Sequence, residues 1–273
     1  VTSVTEFGFD AIKLDGCGKQ MDLDLWANLF NASGRPVMIE NCHWGGTVPN
    51  ETWCPWNFFR TSGDVRASYG SVVGNLQTTV QWAQKQLSKP GCWAYPDMLE
   101  VGCQHGPGGP SDPGLSMAEA RSHFAAWCII SSPLTLSHDV NDDTVMDQIW
   151  PIIANKEAIA INQGWYGESG MPFKQSNAIV ALSDYNQVIQ GVLTAHTDPT
   201  PSWQYFYKPL GPSKVAVLLM NHAASAQTLT LELADVPGLD LGSCNCASAR
   251  DVWAQEDLDV AKGTFMAKDV ASH

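Results

Sequence analysis

Residues 11–16 read Ala-Ile-Lys-Leu-Asp-Gly and carry the pattern that decides the fold. Alternation with a period of two puts Lys13 and Asp15 on one face of a strand and Leu14 on the other. Gly16 then opens the chain into a loop, so Asp15 stands at the carboxyl end of the strand. Active sites of barrels are built at that end. A single strand-end aspartate is more often a cap or loop residue, so the stretch needs support from its neighbours.

Polar residues also stand beside three later strand-like segments. One apolar segment runs into the polar and aromatic residues 40–46, Arg60 and Asp64 follow the next, and Asp97 lies directly before another. Trp44 can stack on a sugar face or cover core as a rim residue. Four successive segments that each place polar side chains at one end are harder to explain by capping than any single residue.

Residues 1–166 alternate strand-like and helix-like segments, which predicts an α/β fold with a parallel sheet and helices outside it. Ser116, followed three residues later by Glu119, forms a capping box that predicts the start of one helix. The expected strands cover 11–14, 36–40, 58–61, 98–101 and 133–136, and the expected helices cover 23–30, 73–87, 117–131 and 143–154.

From about residue 168 the chain changes to short strand-like segments separated by turn residues. This pattern predicts an antiparallel all-β part, most simply a sandwich. The boundary near residue 166 is a short joint, so we divide the chain into 1–166 and 167–273. The expected strands cover 178–182, 188–193, 203–208, 214–220, 227–233, 251–253 and 264–267, and the turn residues include Asp184 and Asn186.

The composition describes a folded, acidic protein of 273 residues. Apolar residues at 44 % and charged residues at 16 % exclude a disordered or coiled-coil chain. A net charge of −13 argues against nucleic acid or an anionic membrane surface as partner, because both repel a negative protein. No uninterrupted apolar run of about 18 residues appears, so no membrane span is expected. The chain opens at Val1 without a leader, as an interrupted start would.

Cysteines and glycosylation sequons indicate a secreted, extracellular or lysosome- or vacuole-like compartment. None of the eight cysteines forms the array of a zinc site, so no metal is expected. The disulfide candidates are the close pairs Cys42 with Cys54, Cys92 with Cys103, and Cys244 with Cys246, the last strained by its short separation. The sequons begin at Asn31 and Asn50.

Five motifs stand in a fixed order along the chain: Ile-Lys-Leu-Asp-Gly-Cys at 12–17, Cys-His-Trp at 42–44, Arg-Thr-Ser-Gly-Asp-Val at 60–65, Pro-Asp-Met-Leu-Glu-Val-Gly at 96–102 and Ala-Ile-Ala-Ile-Asn-Gln at 158–163. Together they resemble the motif set of glycoside hydrolase family 27, the α-galactosidases and α-N-acetylgalactosaminidases. The resemblance extends from about Phe7 to His273 and implies a (β/α)8 barrel followed by an antiparallel β-sandwich.

The resemblance also implies roles. Asp15 matches the catalytic nucleophile and Asp64 the general acid/base of a retaining glycosidase, whose two carboxyl groups flank the scissile bond about 5–5.5 Å apart. Lys13 and Arg60 match ligands of sugar hydroxyls, and Asp97 matches the floor of the pocket. No metal or organic cofactor is needed. The remaining residues expected to bind substrate are Cys42, His43, Trp44 and Met98.

The expected activity is hydrolysis of terminal α-D-galactosyl residues of saccharides or glycoconjugates. One departure from the family pattern affects specificity: His43 stands where many family α-galactosidases carry glutamate, and Gly46 and Thr47 are small. An α-N-acetylgalactosaminidase or related pyranosidase of the same family is therefore the alternative enzyme. A non-catalytic carbohydrate-binding or structural glycoprotein on a partial hydrolase scaffold is the alternative from another class.

The resemblance further implies that the chain is part of a longer polypeptide. Asp15 matches barrel strand 4, so 1–166 would hold strands 4 to 8, and strands 1 to 3 would precede Val1. That preceding part would carry an aspartate pair that binds the sugar and the disulfide partner of Cys17. The sandwich in 167–273 would lack its last strand. A missing N-terminal segment or a partner chain is thus expected, and a homo-oligomer is compatible with the sequence.

Overall fold

The protein is described by a computed structural model covering residues 1–183, 185–189, 192–196 and 199–273, with only the backbone described for 185–189 and 192–196. The helices are α1 Thr2–Glu6, α2 Leu23–Ser33, α3 Tyr69–Gln84, α4 Met117–Ile129, α5 Asp143–Ile153 and α6 Lys156–Gln163. The strands are β1 Ala11–Asp15, β2 Met38–Cys42, β3 Phe58–Arg60, β4 Trp93–Tyr95, β5 Met171–Gln175, β6 Ile179–Ala181, β7 Tyr185–Ile189, β8 Val192–His196, β9 Pro199–Pro201, β10 Trp203–Gly211, β11 Lys214–Asn221, β12 Gln227–Glu232, β13 Cys246–Asp251, β14 Glu256–Lys262 and β15 Thr264–Val270.

The first half of the fold is a parallel sheet in the order β1-β2-β3-β4. Helix α2 connects β1 to β2, and helix α3 connects β3 to β4. Leu14, Ile39 and Phe59 are buried and belong to one apolar cluster beside the sheet. The predicted α/β class with a parallel sheet is confirmed, and the sheet gives all four strands the same carboxyl edge.

The predicted strand at 98–101 is wrong, because the fourth strand comes earlier, at Trp93–Tyr95. Pro96 lacks a backbone N–H, and Asp97 has a φ of +90°, so the ladder cannot continue into residue 98. Leu99 forms only an isolated parallel bridge with Leu136. The strand expected at 133–136 is therefore reduced to that one bridge.

Helix α4 begins at the predicted capping box. The Ser116 hydroxyl accepts a hydrogen bond from the Glu119 N–H, and the Glu119 carboxylate accepts one from the Ser116 N–H at 2.7 Å. We expect Ser116→Ala to lower the free energy of unfolding by about 1 kcal/mol, because it leaves one helix N–H without its acceptor. Urea denaturation measures this, with Ser116→Thr as the variant that keeps the cap. Equal stability of the alanine and threonine variants would contradict the prediction.

The second half of the fold is antiparallel, as predicted. One sheet has the order β11-β10-β5 and another the order β12-β15-β14-β13. Tyr205 and Leu231 belong to an apolar cluster formed by residues of both sheets. Strands β5, β9 and β14 were not expected from the sequence, because Met171–Gln175 and Pro199–Pro201 contain proline and Glu256–Lys262 contains three acidic residues, which are depleted in strands.

Several predictions in this half differ from the structure, among them the expected turn residues Pro209 and Gly211, which lie in β10. The strand expected at 251–253 ends at Asp251, because the next residues form a turn in which the Asp251 carboxylate accepts hydrogen bonds from the Trp253 and Ala254 N–H groups. Asn186, expected in a turn, lies within β7. The strand expected at 188–193 is instead split between β7 and β8, and residues 190 and 191 lie outside the described residues, as does the predicted turn residue Asp184.

The predicted cysteine pairing is partly wrong. Cys54 bonds to Cys92, and Cys244 bonds to Cys246 as expected. Cys42 and Cys103 carry free thiols. Cys54 and Cys92 precede the neighbouring strands β3 and β4, so both lie at the amino edge of the sheet, whereas Cys42 ends β2 at the opposite edge. Closeness in sequence misled the prediction, because parallel strands bring together residues that are far apart in the chain.

The two halves meet at a tight joint behind helices α4 and α6. The Gly170 N–H donates to the Ile129 carbonyl at the end of α4, and a side chain on Gly170 would collide with that carbonyl. Lys208 of β10 is fully buried, and its ammonium donates to the carbonyls of Ile161 and Asn162 at 2.5 and 3.0 Å. Lys208 therefore caps the carboxyl end of α6 from the sandwich side. Burial lowers its pKa to about 8, and Cys128 opposes that shift.

Candidate active site

The parallel sheet collects predicted site residues at the carboxyl ends of its strands. In the register of β1 and β2, Lys13 lies beside Glu40 and Asp15 lies beside Cys42. Arg60 is the last residue of β3. Register partners in neighbouring strands share a face of the sheet. The side chains of Lys13, Asp15 and Cys42 therefore share a face, and that face also carries Glu40.

Arg60 holds three of the predicted residues together. Its side chain is buried, and its Nη2 lies 2.8 Å from Asp97 Oδ2 and 3.0 Å from Asp64 Oδ1. Its Nη1 donates to Cys42 Sγ at 3.6 Å. Burial disfavours the charge of Arg60, but Asp97 and Cys42, with Asp64, outweigh burial and raise its pKa. One buried cation thus links the ends of β2 and β3 to the residues that follow β4.

Asp97 is buried and held by protein groups on all sides. Its Oδ2 accepts from the Val65 N–H at 3.0 Å, and its Oδ1 accepts from the Met98 N–H at 2.9 Å. Its backbone carbonyl accepts from Trp127 Nε1 at 2.7 Å. These bonds fix Asp97 in the left-handed conformation that non-glycine residues rarely adopt. The carboxylate is therefore placed before any ligand binds.

Asn75 is a site-positioning residue that sequence reasoning missed. It lies fully buried in α3, and its amide donates to the carbonyls of Gly63 at 3.1 Å and Pro96 at 3.0 Å. Those carbonyls belong to the residues just before Asp64 and Asp97. Asn75 thus ties together the two loops that carry these carboxylates. A polar residue inside a helix otherwise indicates a solvent-facing position, and the sequence carries no signal that distinguishes the two.

Lys13 forms an ion pair with Glu40, the second residue that sequence reasoning passed over. Lys13 Nζ lies 3.6 Å from Glu40 Oε1, with the Glu40 side chain 13 % exposed and the Lys13 side chain 42 % exposed. Burial raises the pKa of Glu40, and Lys13 opposes that shift. Burial also opposes the charge of Lys13, but Glu40 and Cys42 outweigh it and raise the pKa of Lys13. The pairing could have been found by aligning the two strands in parallel register.

The two predicted catalytic carboxyl groups differ in their surroundings. Asp15 is half-buried, its Oδ1 accepts from the Gly16 N–H at 2.7 Å, and its own N–H donates to Gln20 Oε1 at 2.8 Å. The Asp64 side chain is 77 % exposed and pairs with Arg60. The structure thus joins Asp64 directly to Arg60. Asp15 is the register neighbour of Cys42, which Arg60 contacts. Their catalytic roles remain predictions.

His43 and Trp44 form the loop that follows β2. His43 is buried, and its Nδ1 is 2.8 Å from Thr47 Oγ1. Burial lowers the pKa of His43, and the nearby backbone of Gln20 and Asp15 opposes that shift. Trp44 is 42 % exposed, and its backbone has a φ of +48°. Both side chains border Gly16, the residue after Asp15. The loop therefore offers a neutral imidazole and an exposed aromatic face beside Asp15.

Three further predicted residues have side chains in other surroundings. Met98 is half-buried and packs against the main apolar core. Asn31 is exposed in the last turn of α2. Asn50 is exposed, and its Oδ1 accepts from the Thr52 N–H at 3.0 Å. Binding of substrate by Met98 and glycosylation of the two asparagines remain predictions.

Comparison with known proteins agrees with this organisation. Residues 1–164 match the family described as alpha galactosidase A, and residues 200–273 match the alpha galactosidase C-terminal beta sandwich domain. The chain is 28 % identical to the alpha-galactosidase of Oryza sativa subsp. japonica and covers 57 % of it, with all of this chain aligned. It is 29 % identical to the alpha-galactosidase of Coffea arabica, with 96 % of this chain and 60 % of that protein aligned.

A solved structure supports the same conclusion. Alpha-galactosidase I from Mortierella vinacea superposes with a TM-score of 0.74 at 25 % identity, covering 99 % of this chain and 67 % of that one. The chain spans 57 % and 56 % of the length of the alpha-galactosidases of Oryza sativa subsp. japonica and Cyamopsis tetragonoloba. The expected fold class, barrel strands followed by an antiparallel β-sandwich, is confirmed. The chain belongs to the alpha galactosidase A family, in agreement with the resemblance that its motifs carry.

Proposed function

We propose that the protein containing this chain is a retaining α-galactosidase that hydrolyses terminal α-D-galactosyl residues. The observation that supports it best is the Arg60 network, which holds Asp64 and Asp97 at the carboxyl edge of the sheet. Strand β1, which carries Lys13 and Asp15, ends at the same edge. The alpha-galactosidases that match the chain support the same substrate class. We also propose that residues 1–166 form the barrel part and 167–273 the sandwich.

The proposed reaction is a double displacement. The Asp15 carboxylate attacks the anomeric carbon, and the bond from that carbon to the leaving oxygen breaks while Asp64 donates a proton to this oxygen. The galactosyl group is then an ester of Asp15. Asp64 takes a proton from water, whose oxygen attacks the anomeric carbon and releases Asp15 and galactose with retained configuration. Lys13 supplies hydrogen-bond donors for sugar hydroxyls, and the buried Arg60 holds the Asp64 and Asp97 carboxylates in place. No step requires a cofactor.

The stereochemistry of the first product tests this proposal. The native protein, incubated with 4-nitrophenyl α-D-galactoside, is expected to release α-galactose as its first product. Proton NMR spectra recorded before mutarotation measure which anomer is released. Release of β-galactose would exclude the retaining mechanism. Binding of galactose without hydrolysis of any α-pyranoside would instead favour a non-catalytic carbohydrate-binding protein.

A second prediction concerns the acid/base. Asp64→Asn is expected to lower kcat about 10²- to 10⁴-fold for a substrate with a poor leaving group, because no proton reaches the glycosidic oxygen. The loss is expected to be smaller for the nitrophenyl galactoside, whose leaving group departs without protonation. Steady-state kinetics on both substrates measure the difference. An equal loss on both would argue that Asp64 acts in some other way.

The loop after β2 keeps α-N-acetylgalactosaminidase activity as the second candidate. His43 is buried against Thr47 and borders Gly16, so this loop places an imidazole where many family α-galactosidases carry glutamate. A neutral wall can accommodate a 2-acetamido group that a carboxylate would exclude. The ratio of kcat/KM for the α-galactoside and the α-N-acetylgalactosaminide decides between the two.

We further propose an oxidising compartment for this protein, outside the cell or in a lysosome- or vacuole-like organelle. The Cys54–Cys92 disulfide and the exposed sequons at Asn31 and Asn50 support this location. Across the described ranges of the chain, none of the helices is long and apolar enough to cross a membrane.

A further inference from the structure

We propose that Glu40 is a positioning residue for substrate binding, which holds the Lys13 ammonium where a sugar hydroxyl meets it. The proposal rests on the proposed glycosidase function and extends it by one residue. Glu40 stands beside Lys13 in the parallel register, and both side chains share the face that carries Asp15. The pair therefore lies on the face of β1 and β2 that bears the proposed nucleophile.

Lys13 and Glu40 are close enough to attract each other but farther apart than an ordinary hydrogen bond. Lys13 Nζ is 3.6 Å from Glu40 Oε1, which is beyond hydrogen-bond length for an ammonium and a carboxylate. Glu40 Oε1 is buried and accepts no hydrogen bond from the described residues. Glu40 thus attracts the ammonium over a distance longer than an ordinary hydrogen bond. Lys13, 42 % exposed, can still donate to a ligand.

Burial makes this attraction strong enough to matter. The Glu40 side chain is only 13 % exposed, so its charge is less screened than that of a surface carboxylate. A free lysine side chain loses rotamer entropy when a ligand holds it in one conformation. Restraining Lys13 before substrate arrives removes part of that cost from binding. Loss of the restraint should therefore weaken binding of the sugar more than it slows the chemical step.

The ionisation of Glu40 couples this restraint to pH. The charged or titratable groups that act on it are Lys13 on β1, Cys42 on its own strand, Arg60 on β3, Tyr95 on β4 and Asp97 after β4. Burial raises the pKa of Glu40, so it gains a proton at a higher pH than an exposed glutamate. As pH falls through that raised pKa, Glu40 becomes neutral and no longer attracts Lys13. KM should therefore rise on the acid side.

The test compares Glu40→Gln with Glu40→Asp in the native protein. Glu40→Gln keeps the shape and removes the charge, so KM for the nitrophenyl galactoside is expected to rise about tenfold, or about 1.4 kcal/mol, with kcat changed less than about threefold. The acid-side rise of KM should disappear in this variant. Glu40→Asp keeps the charge and should retain that rise. Asp235→Asn, which removes an ion-paired carboxylate from the sandwich, serves as control and should match the wild type.

Two results would overturn the proposal. One is that the Glu40→Gln variant has the same KM, and the same dependence of KM on pH, as the wild type. The other is an equal loss in both Glu40 variants with an unmoved pH profile, which a packing role alone would produce. Calorimetric titration with D-galactose separates this proposal from the proposed function, because it needs no turnover. If the wild type binds galactose but hydrolyses no glycoside, the enzyme assignment fails, and a tenfold weaker affinity in Glu40→Gln still supports the role of Glu40. If the wild type does not bind galactose, both fail.

Discussion

Asp15→Asn is expected to lower kcat for the nitrophenyl galactoside by about 10⁴-fold or more. The amide is nearly isosteric, and its oxygen can still accept the hydrogen bond from the Gly16 N–H, so the loop should keep its shape. An amide oxygen is a poor nucleophile, so the galactosyl ester cannot form. KM should change less than about threefold, because Lys13 and Arg60 remain in place. Steady-state kinetics with circular dichroism of the folded variant measure this.

A matched control separates the nucleophile from general loss of charge. Asp10 lies one residue before β1, and its exposed carboxylate pairs with Arg35. Asp10→Asn should leave kcat unchanged. Asp15→Gly with sodium azide provides a positive test. Azide should attack the anomeric carbon as nitrophenolate leaves, which restores turnover and yields β-galactosyl azide. Turnover near the wild-type rate in Asp15→Asn would remove Asp15 from the mechanism.

Arg60→Met is expected to lower the free energy of unfolding by about 3–5 kcal/mol. The buried guanidinium balances the buried Asp97 carboxylate at 2.8 Å, and methionine fills the volume without supplying charge. Asp97 would keep two backbone N–H donors but would lie in the interior as an unpaired anion. Urea denaturation of the native protein measures the loss.

Removing the partner charge should recover part of that loss. The double variant Arg60→Met/Asp97→Asn is expected to be more stable than the sum of the single effects, since no unpaired charge then remains. Lys174→Met, which breaks a partly exposed ion pair with Asp235, should cost less than about 1 kcal/mol. A loss in Arg60→Met as small as that of Lys174→Met would show that Asp97 does not depend on its pairing.

Local patterns predicted the strand that ends at Asp15 and the start of α4, because each depends on residues adjacent in sequence. Alternation placed Leu14 inward, and the spacing from Ser116 to Glu119 marked the helix start. The family resemblance pointed to Arg60 and Asp97, and the structure shows them in direct contact.

Features that depend on residues distant in sequence were missed. Cys54 pairs with Cys92 because the amino ends of neighbouring parallel strands lie side by side. The spacing of cysteines along the chain does not reveal this arrangement. Asn75 faces inward because two loop carbonyls need a donor, and those carbonyls come from different connections of the sheet. Glu40 meets Lys13 only once the parallel register is known.

The joint behind α4 and α6 bears on how this fold can be reshuffled during evolution. A sandwich from a relative could be grafted onto these barrel strands only if it brought an amine at the position of Lys208, because the carbonyls that end α6 have their donor there. The graft would also need a residue without a side chain at position 170, where the Ile129 carbonyl leaves no room. Recombination at this boundary therefore replaces the residue that caps α6 whenever it replaces the sandwich.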